Sequence, residues 1–217
     1  MIKNITKRQL EALNIIYKNI ESSGFPPSLA DLREELKVAS NQSVINFLKV
    51  LENSGYIKRE EGLARGLKIL PKGYKALGVD MLVPAVGNSS CGPFVEAIQE
   101  VGNWISLPGE MYKDEVTESK DKLFIIKVGG DSMINAGINN GDLLLIKQAR
   151  EFKNGDIVVA RNDDGTTVKR FVAENKKAYL KPENPAYKNI PIFEDTYFDG
   201  KVIANLSTLK RTYEPKN

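Results

Sequence analysis

The stretch from Leu123 to Asp142 constrains the fold of this 217-residue chain most strongly. It opens with four apolar residues, Leu-Phe-Ile-Ile, which have the composition of a buried strand. That strand must break at the paired glycines Gly129 and Gly130, and Ser132 follows on the next turn. A serine on a turn that leaves a buried strand is sterically open and held by the scaffold, as a nucleophile must be. Most serines in such turns have no catalytic role, so the residues that could activate Ser132 decide the interpretation.

The composition restricts how such a serine could be activated. The chain contains no histidine and one cysteine, so neither a Ser–His nor a Cys–His pair can form within it. A zinc site would lack its usual ligands, and we expect neither a metal nor a cofactor. The base must then be lysine, aspartate, glutamate or tyrosine. A lysine serves only when it is neutral, which requires an apolar site that lowers its pKa.

Lys169 is the candidate base. It lies in an alternating segment, Thr166–Val172, which follows the apolar run Ile157–Ala160. With a period of two, Thr167, Lys169 and Phe171 share one face of a strand. A solvated lysine on an edge strand is the alternative explanation, and the pattern alone leaves it open.

The order of short motifs along the chain resembles that of LexA-type self-cleaving repressors. The motifs are GDSM at 130–133, GI at 137–138, GD at 141–142, VVAR at 158–161, TVKR at 167–170 and LKPEN at 180–184. The resemblance extends over nearly the whole chain. It implies that Ser132 is the nucleophile and Lys169 the general base of a Ser–Lys dyad, a contact that no sequence spacing can show.

The N-terminal part, residues 1–70, is predicted to be a winged helix-turn-helix domain. Three helices are expected, and each begins at a capping residue: Thr6 with Gln9, Ser28 with Asp31, and Ser40. Two strand-like segments, 56–59 and 67–70, then flank a turn that contains glycine, which predicts a hairpin. Helices joined by a tight turn and followed by a hairpin are typical of a winged helix-turn-helix. A small helical domain that binds a protein is the alternative.

The outer face of the third helix favours double-stranded operator DNA as the partner. Asparagine and glutamine can pair with adenine, serine can reach a base or a phosphate, and isoleucine can contact a thymine methyl group. The candidate DNA-contacting residues are Ser40, Asn41, Gln42, Ser43, Ile45, Asn46, Lys49 and, on the wing, Arg65. Residues 1–70 hold 11 basic and 8 acidic side chains, which permits a polyanionic partner. The double proline at 26–27 matches the LexA layout, whereas Ile45 and Asn46 replace glutamates of the best-known members, so we expect a different operator.

The rest of the chain is predicted to be a linker, 71–80, and a mostly antiparallel β domain, 81–217. The linker has no clean periodicity and contains two glycines and a proline. Strand-like runs recur between turns from about residue 100 onward, so the fold class is α+β with two domains. The last run, Lys201–Leu206, predicts an exposed edge strand that could pair with a second subunit. The resemblance likewise implies a homodimer formed through the C-terminal domain.

A loop of small residues around Cys91 and Gly92 is the candidate substrate. Its small side chains would let the backbone enter a narrow cleft, although a flexible loop or an inert thiol explains the same residues. LexA-like proteins cut themselves at an Ala–Gly or Cys–Gly bond in this place. The resemblance therefore implies that the Cys91–Gly92 bond is the one that is cleaved.

Together with these features, the resemblance implies a self-cleaving transcriptional repressor of the SOS, or DNA-damage, type. The resemblance also implies that a filament of RecA on single-stranded DNA is the co-activator of cleavage. A phage or mobile-element repressor with the same dyad, and a processing peptidase acting in trans, are the alternatives. No apolar run approaches the ~18 residues of a membrane span, and one cysteine cannot form an internal disulfide. We therefore expect an intracellular protein, and the resemblance implies that it is cytoplasmic, bacterial and nucleoid-associated.

Overall fold

The computed structural model describes residues 5–59, 66–86, 104–107, 123–162, 165–174 and 177–208. Within these residues the chain divides into two compact units. The first unit comprises residues up to 83 together with 104–107, and the second begins at 84 and continues from 123 to 208. The predicted scissile residues Cys91 and Gly92, and the predicted wing residue Arg65, lie outside the described residues.

Three helices open the first unit, and each begins at the residue that the sequence predicts. They are α1 (Lys7–Ser23), α2 (Leu29–Glu35) and α3 (Asn41–Asn53). Thr6 and Gln9 form the reciprocal hydrogen bonds of a capping box, and Ser28 and Asp31 do the same for α2. Ser40 caps α3 with its hydroxyl oxygen. No helix in the described part of the chain is long and apolar enough to span a membrane.

The three helices bury one face each. The buried aliphatic residues include Leu13, Ile16 and Ile20 of α1, Leu32 and Leu36 at α2, and Val44, Leu48 and Leu51 of α3. Each such side chain contributes about 1.5–3 kcal/mol when it leaves water, so this core holds the helices together. Strands β1 (Ile57–Arg59) and β2 (Leu67–Ile69) follow and pair antiparallel. The predicted winged helix-turn-helix fold is confirmed.

A fourth helix, α4 (Pro71–Leu77), occupies most of the segment that was expected to be a linker, 71–80. Pro71 lies in its first turn, where a missing backbone N–H costs nothing. Tyr74 is buried and packs edge-on against Tyr17 of α1, with ring centroids 6.2 Å apart. The sequence pattern did not predict this helix because one aromatic side chain, rather than a periodic apolar stripe, anchors its two turns.

A mostly antiparallel sheet forms the second unit and confirms the predicted α+β class. Its strands are the part of β3 (Met81–Val86) from Pro84 onward, β5 (Leu123–Lys127), β6 (Leu143–Lys147), β7 (Ile157–Asn162), β8 (Gly165–Glu174), β9 (Lys177–Lys181), β10 (Ile190–Pro191) and β11 (Tyr197–Asn205), while β4 (Trp104–Leu107) belongs to the first unit. Within the second unit the strand order is β10-β9-β8-β7-β11-β6-β5-β3. Only the pairing of β3 with β5 is parallel among the strand pairs described for the second unit. Strands β3 and β10 were not predicted from the sequence.

Strand β11 lies inside the sheet rather than at its edge. Its first half pairs with β7 and its second half with β6, so Lys201 lies opposite Val158 on one side and Lys147 on the other. The expectation of an exposed edge strand at Lys201–Leu206 was therefore wrong. The strand begins at Tyr197, before the alternation of apolar residues in the sequence starts. The pattern therefore did not predict its first half, and this first half pairs with β7.

We expect Gly200→Ala to destabilise the second unit by about 1–3 kcal/mol. A Cβ at this position would lie 2.4 Å from the Lys147 carbonyl oxygen and 2.9 Å from Ile146 Cγ2, so the backbone of β6 or β11 would have to move. Urea unfolding measures the effect. As a control, Ala178→Gly at an exposed position of β9 should cost at most about 1 kcal/mol. An unchanged free energy of unfolding for Gly200→Ala would contradict the close approach of the two strands.

Candidate active site and DNA-contacting face

Lys169 lies on β8 and is almost fully buried, with 6% of its surface exposed. Its Nζ is 2.7 Å from Ser132 Oγ. Two further oxygens surround the amine, Thr167 Oγ1 at 2.6 Å and the Val168 carbonyl oxygen at 3.0 Å. Because β8 lies between β7 and β9, the lysine is not on an edge strand. The structure thus places the two predicted dyad residues within hydrogen-bonding distance.

Burial lowers the pKa of Lys169 to about 8. The cause is desolvation, because an ammonium group loses the water that stabilises its charge. At pH 7 roughly a tenth of such amines are neutral, compared with less than about one in a thousand for an ordinary lysine. The buried position therefore supplies the neutral amine that a general base requires.

The three oxygens around Nζ match the hydrogen-bonding capacity of a neutral amine. The Val168 carbonyl can only accept a hydrogen bond, and the Thr167 hydroxyl can accept one. If these two oxygens take the N–H groups of the neutral amine, its lone pair is left for the Ser132 hydroxyl. The sequence argument gave Thr167 no role of its own, although its position two residues before Lys169 on the same strand face was an available signal.

Ser132 is carried by the loop between β5 and β6, and the two ends of this loop are joined. Val128 N–H donates a hydrogen bond to the Asp142 carbonyl oxygen over 2.8 Å. Within the loop, Met133 and Ile138 are buried in the apolar core of the sheet. Ser132 itself stays half-buried between these anchors. The loop can therefore expose the hydroxyl while its position is set by packing.

Asn205, at the end of β11, also holds this loop and was not identified from the sequence. Its Nδ2 donates to Asp142 Oδ2 over 2.7 Å and to the Gly137 carbonyl oxygen over 3.3 Å. The same carboxylate of Asp142 accepts a hydrogen bond from Asn139 N–H over 2.9 Å. Because β11 lies between β6 and β7, these bonds tie the Ser132 loop to the interior of the sheet.

Helix α3 presents polar side chains on one exposed face. Gln42, Asn46 and Lys49 are exposed and follow one another at helical spacing. Gln42 Nε2 donates to Asn46 Oδ1 over 3.1 Å, which orients both amides. Two other predicted contact residues, Ser43 and Ile45, are half-buried.

Two of the residues that were predicted to contact DNA, Ser40 and Ser43, form the N-terminal cap of α3. Ser40 Oγ accepts a hydrogen bond from Ser43 N–H over 3.3 Å and lies 3.1 Å from Ser43 Oγ. Asn41, the first residue of the helix, is exposed. Of the residues predicted to contact DNA, these two serines therefore have a structural role as well.

Known families match both parts of the chain. The LexA DNA binding domain matches residues 2–66, and the Peptidase S24-like family matches residues 84–203. A LexA repressor of Caldicellulosiruptor saccharolyticus is 36% identical over 203 residues, which cover 94% of this chain and 97% of that protein. A LexA repressor of Clostridium kluyveri is 34% identical over 215 residues, which cover 99% and 100%. This chain belongs to the LexA family.

The two family matches lie on either side of the boundary between the two structural units. The LexA DNA binding domain match ends within the winged helix-turn-helix, and the Peptidase S24-like match begins at Pro84, where the second unit begins. A LexA repressor of a Geobacillus strain, 36% identical over 203 residues, likewise covers 92% of this chain and 95% of its own length. The resemblance inferred from the short motifs is confirmed.

We expect Lys169 to make the second unit more stable as pH rises from about 8 to 10.5. The pKa of Lys169 is about 8 in the fold and 10.5 when it is unperturbed, so between these values the unfolded chain binds more protons. Rising pH then favours the folded state, by at most about 3 kcal/mol. Urea unfolding of the Ser132→Ala variant, which lacks the hydroxyl beside Lys169 Nζ, should show this gain. Ser132→Ala/Lys169→Met should lack it, and parallel pH profiles of the two variants would contradict the assignment.

Proposed function

We propose that this chain is a DNA-binding transcriptional repressor of the SOS type that inactivates itself by cutting its Cys91–Gly92 bond. The observation that carries the proposal is the 2.7 Å contact between Lys169 Nζ and Ser132 Oγ at a buried site. Membership of the LexA family, with a DNA-binding and a Peptidase S24-like part in one chain, supports both halves of the activity.

In the first step, neutral Lys169 accepts the hydroxyl proton of Ser132 while Oγ bonds to the carbonyl carbon of Cys91. The negative charge that develops on the carbonyl oxygen needs backbone N–H donors, for which the turn around Ser132 is the candidate. The lysine then gives its proton to the nitrogen of Gly92 as the C–N bond breaks. The product is an ester between Ser132 and Cys91.

In the second step, neutral Lys169 takes a proton from a water molecule, which attacks the ester. Lys169 returns this proton to Ser132 Oγ as the ester bond breaks, which restores the serine hydroxyl and the neutral amine, and residues 1–91 separate from residues 92–217. The same amine therefore acts as base and then as acid in each of the two steps. A pKa near neutrality suits these alternating roles, because neither protonation state is far from the working pH.

Cutting would end repression through the loss of tethering. In a homodimer joined by its C-terminal domains, two DNA-binding units reach two half-sites, and the second contact benefits from a high effective concentration. Severed units must bind separately and lose this advantage. The dimer, the nucleoid location and activation by a RecA filament on single-stranded DNA are parts of the proposal that rest on the resemblance.

We expect purified protein at pH 9 to cut itself into two fragments, one ending at Cys91 and one beginning at Gly92. The rate should rise through pH 8 and be about tenfold higher at pH 9 than at pH 7, because the neutral fraction of Lys169 rises by that factor. Intact mass spectrometry of a time course gives both the rate and the bond.

Ser132→Ala and Lys169→Met should both abolish this cleavage. Lys177→Met, which removes an exposed lysine on the adjacent strand β9, is the matched control and should cut at the wild-type rate. Self-cutting by Ser132→Ala or Lys169→Met would refute the dyad. Fragments that meet at another bond would refute only the assignment of Cys91 and Gly92.

On the DNA side, Asn46→Ala should reduce discrimination between a specific site and unrelated DNA by about 1–3 kcal/mol. The exposed amide of Asn46 lies near the N-terminal half of α3, the part of a recognition helix that reaches base edges. Fluorescence anisotropy with a site selected by the wild-type protein from random DNA measures the effect. Asn53→Ala, at the other end of α3, is the control and should bind normally. Equal weakening on both DNAs would indicate a phosphate contact instead.

A further inference from the structure

The segment from Glu183 to Tyr187 is hydrogen-bonded to the loop that carries the nucleophile. Asn184 Nδ2 lies 3.2 Å from the carbonyl oxygen of Asp131 and 3.4 Å from its Oδ2. Tyr187 donates its hydroxyl proton to the other carboxylate oxygen of Asp131. In return, Asn135 N–H donates to the Glu183 carbonyl oxygen over 2.9 Å. The residue immediately before Ser132 is therefore held by a segment distant in sequence.

The same segment is anchored to the strand that carries the lysine. Arg170 Nε donates to Glu183 Oε1 over 2.7 Å, and this hydrogen bond lowers the pKa of Glu183. Arg170 Nη1 also donates to the Gly155 carbonyl oxygen over 2.7 Å, which fixes the guanidinium from its other side. Since Arg170 follows Lys169 directly on β8, the segment links the lysine strand to the serine loop.

The hydrogen bond from Asn184 to the Asp131 carbonyl oxygen helps to fix the orientation of the Asp131–Ser132 peptide. The Asp131 carbonyl oxygen belongs to the Asp131–Ser132 peptide, and it also accepts a hydrogen bond from Ile134 N–H over 3.1 Å. In a trans peptide the N–H points opposite to the C=O, and no cis bond occurs in the described chain. Among the described residues, no oxygen accepts a hydrogen bond from the N–H of Asp131 or Ser132. Within the described part of the chain, these two donors are therefore left without a protein acceptor.

We propose that Asn184 is a positioning residue for self-cleavage, which holds the Asp131–Ser132 peptide so that Ser132 N–H can donate to the developing oxyanion. The proposal rests on the Ser132–Lys169 dyad proposed above. Asn184 acts through the backbone and does not touch the reacting atoms. Removing one oxyanion donor in other enzymes slows the chemical step about 10²–10³-fold, and misorienting it should cost part of that.

Asn184→Ala should lower the plateau rate of self-cleavage, reached above pH 9, by about tenfold or more. The midpoint of the pH–rate profile should stay near the wild-type value, because the three oxygens around Lys169 Nζ are unchanged. A general loss of folding would instead lower the melting temperature and disturb both quantities. Thermal unfolding in the Ser132→Ala background therefore accompanies the kinetics.

Asn184→Asp removes the donor, keeps the turn and places a second carboxylate beside that of Asp131, whose Oδ2 lies 3.4 Å from Asn184 Nδ2 in the wild type. Its Oδ1 can still accept the hydrogen bond from Ala186 N–H, which is 3.0 Å long, but the side chain no longer carries an N–H group. The plateau rate should fall as in Asn184→Ala, and if the alanine variant does not fold, this variant decides. Asn154→Ala is the matched control, since Asn154 bonds a backbone group elsewhere in the unit, Ala173 N–H at 2.9 Å. It should cut like the wild type.

The outcomes separate this inference from the proposed function. If the wild type is never cut, even with RecA filaments, the dyad proposal fails. If the wild type is cut and both Asn184 variants reach its plateau rate, the positioning role is refuted. A shifted midpoint at an unchanged plateau in Asn184→Ala would also refute it, because Asn184 would then act on the lysine rather than on the peptide.

Discussion

The burial of a single lysine side chain is the constraint on which the rest of the second unit depends. A buried ammonium without a carboxylate partner is costly, and the oxygens that surround Lys169 Nζ in the described structure belong to two hydroxyl groups and a carbonyl. This set satisfies a neutral amine but does not neutralise a charged one. The site therefore disfavours the charged form at neutral pH, and this same deficit raises the fraction of neutral amine that the proposed base requires. Stability and reactivity are opposed at this one residue.

The topology of the sheet shows why the two residues do not meet by local folding. Ser132 lies between β5 and β6 and Lys169 on β8, and strands β11 and β7 separate β6 from β8. In a flat sheet this is three strand spacings, about 14 Å. The two register shifts in β11, at 198–200 and 202–204, are of the kind that bends a sheet, and they occur in an intervening strand. A bend at these positions would shorten the distance between the Ser132 loop and β8.

Short-range interactions in the sequence predicted the helix starts and most strands of this structure. The pairing of strands that are distant in sequence could not be predicted in the same way. Capping residues such as Thr6 and Ser28 act within one turn, so the helix starts could be read directly. The alternation around Lys169 likewise predicted β8. The neighbours of β11, in contrast, are residues far apart in the chain, and the local alternation of apolar residues does not predict which strands will pair. The dyad itself could be inferred only by resemblance. Asn184 closes the LKPEN motif, but its contact with Asp131 does not follow from any local pattern, and neither do the contacts of Asn205 with Asp142 and Gly137.

The contact between Ser132 and Lys169 also limits the ways in which the folded chain could slow its own cleavage. Serine and lysine are already in contact in the folded chain, so activation does not have to assemble them. With Lys169 as the proposed base, its protonation would restrain the reaction by only about tenfold at pH 7. A substrate in the same chain, when held in a reactive geometry, can have an effective concentration of about 10⁵ M or more. If the chain cuts itself as proposed, the remaining restraint must lie in how rarely the Cys91–Gly92 bond occupies the site. An activator that binds the occupied state then accelerates cleavage by its differential affinity alone, without contributing a catalytic group.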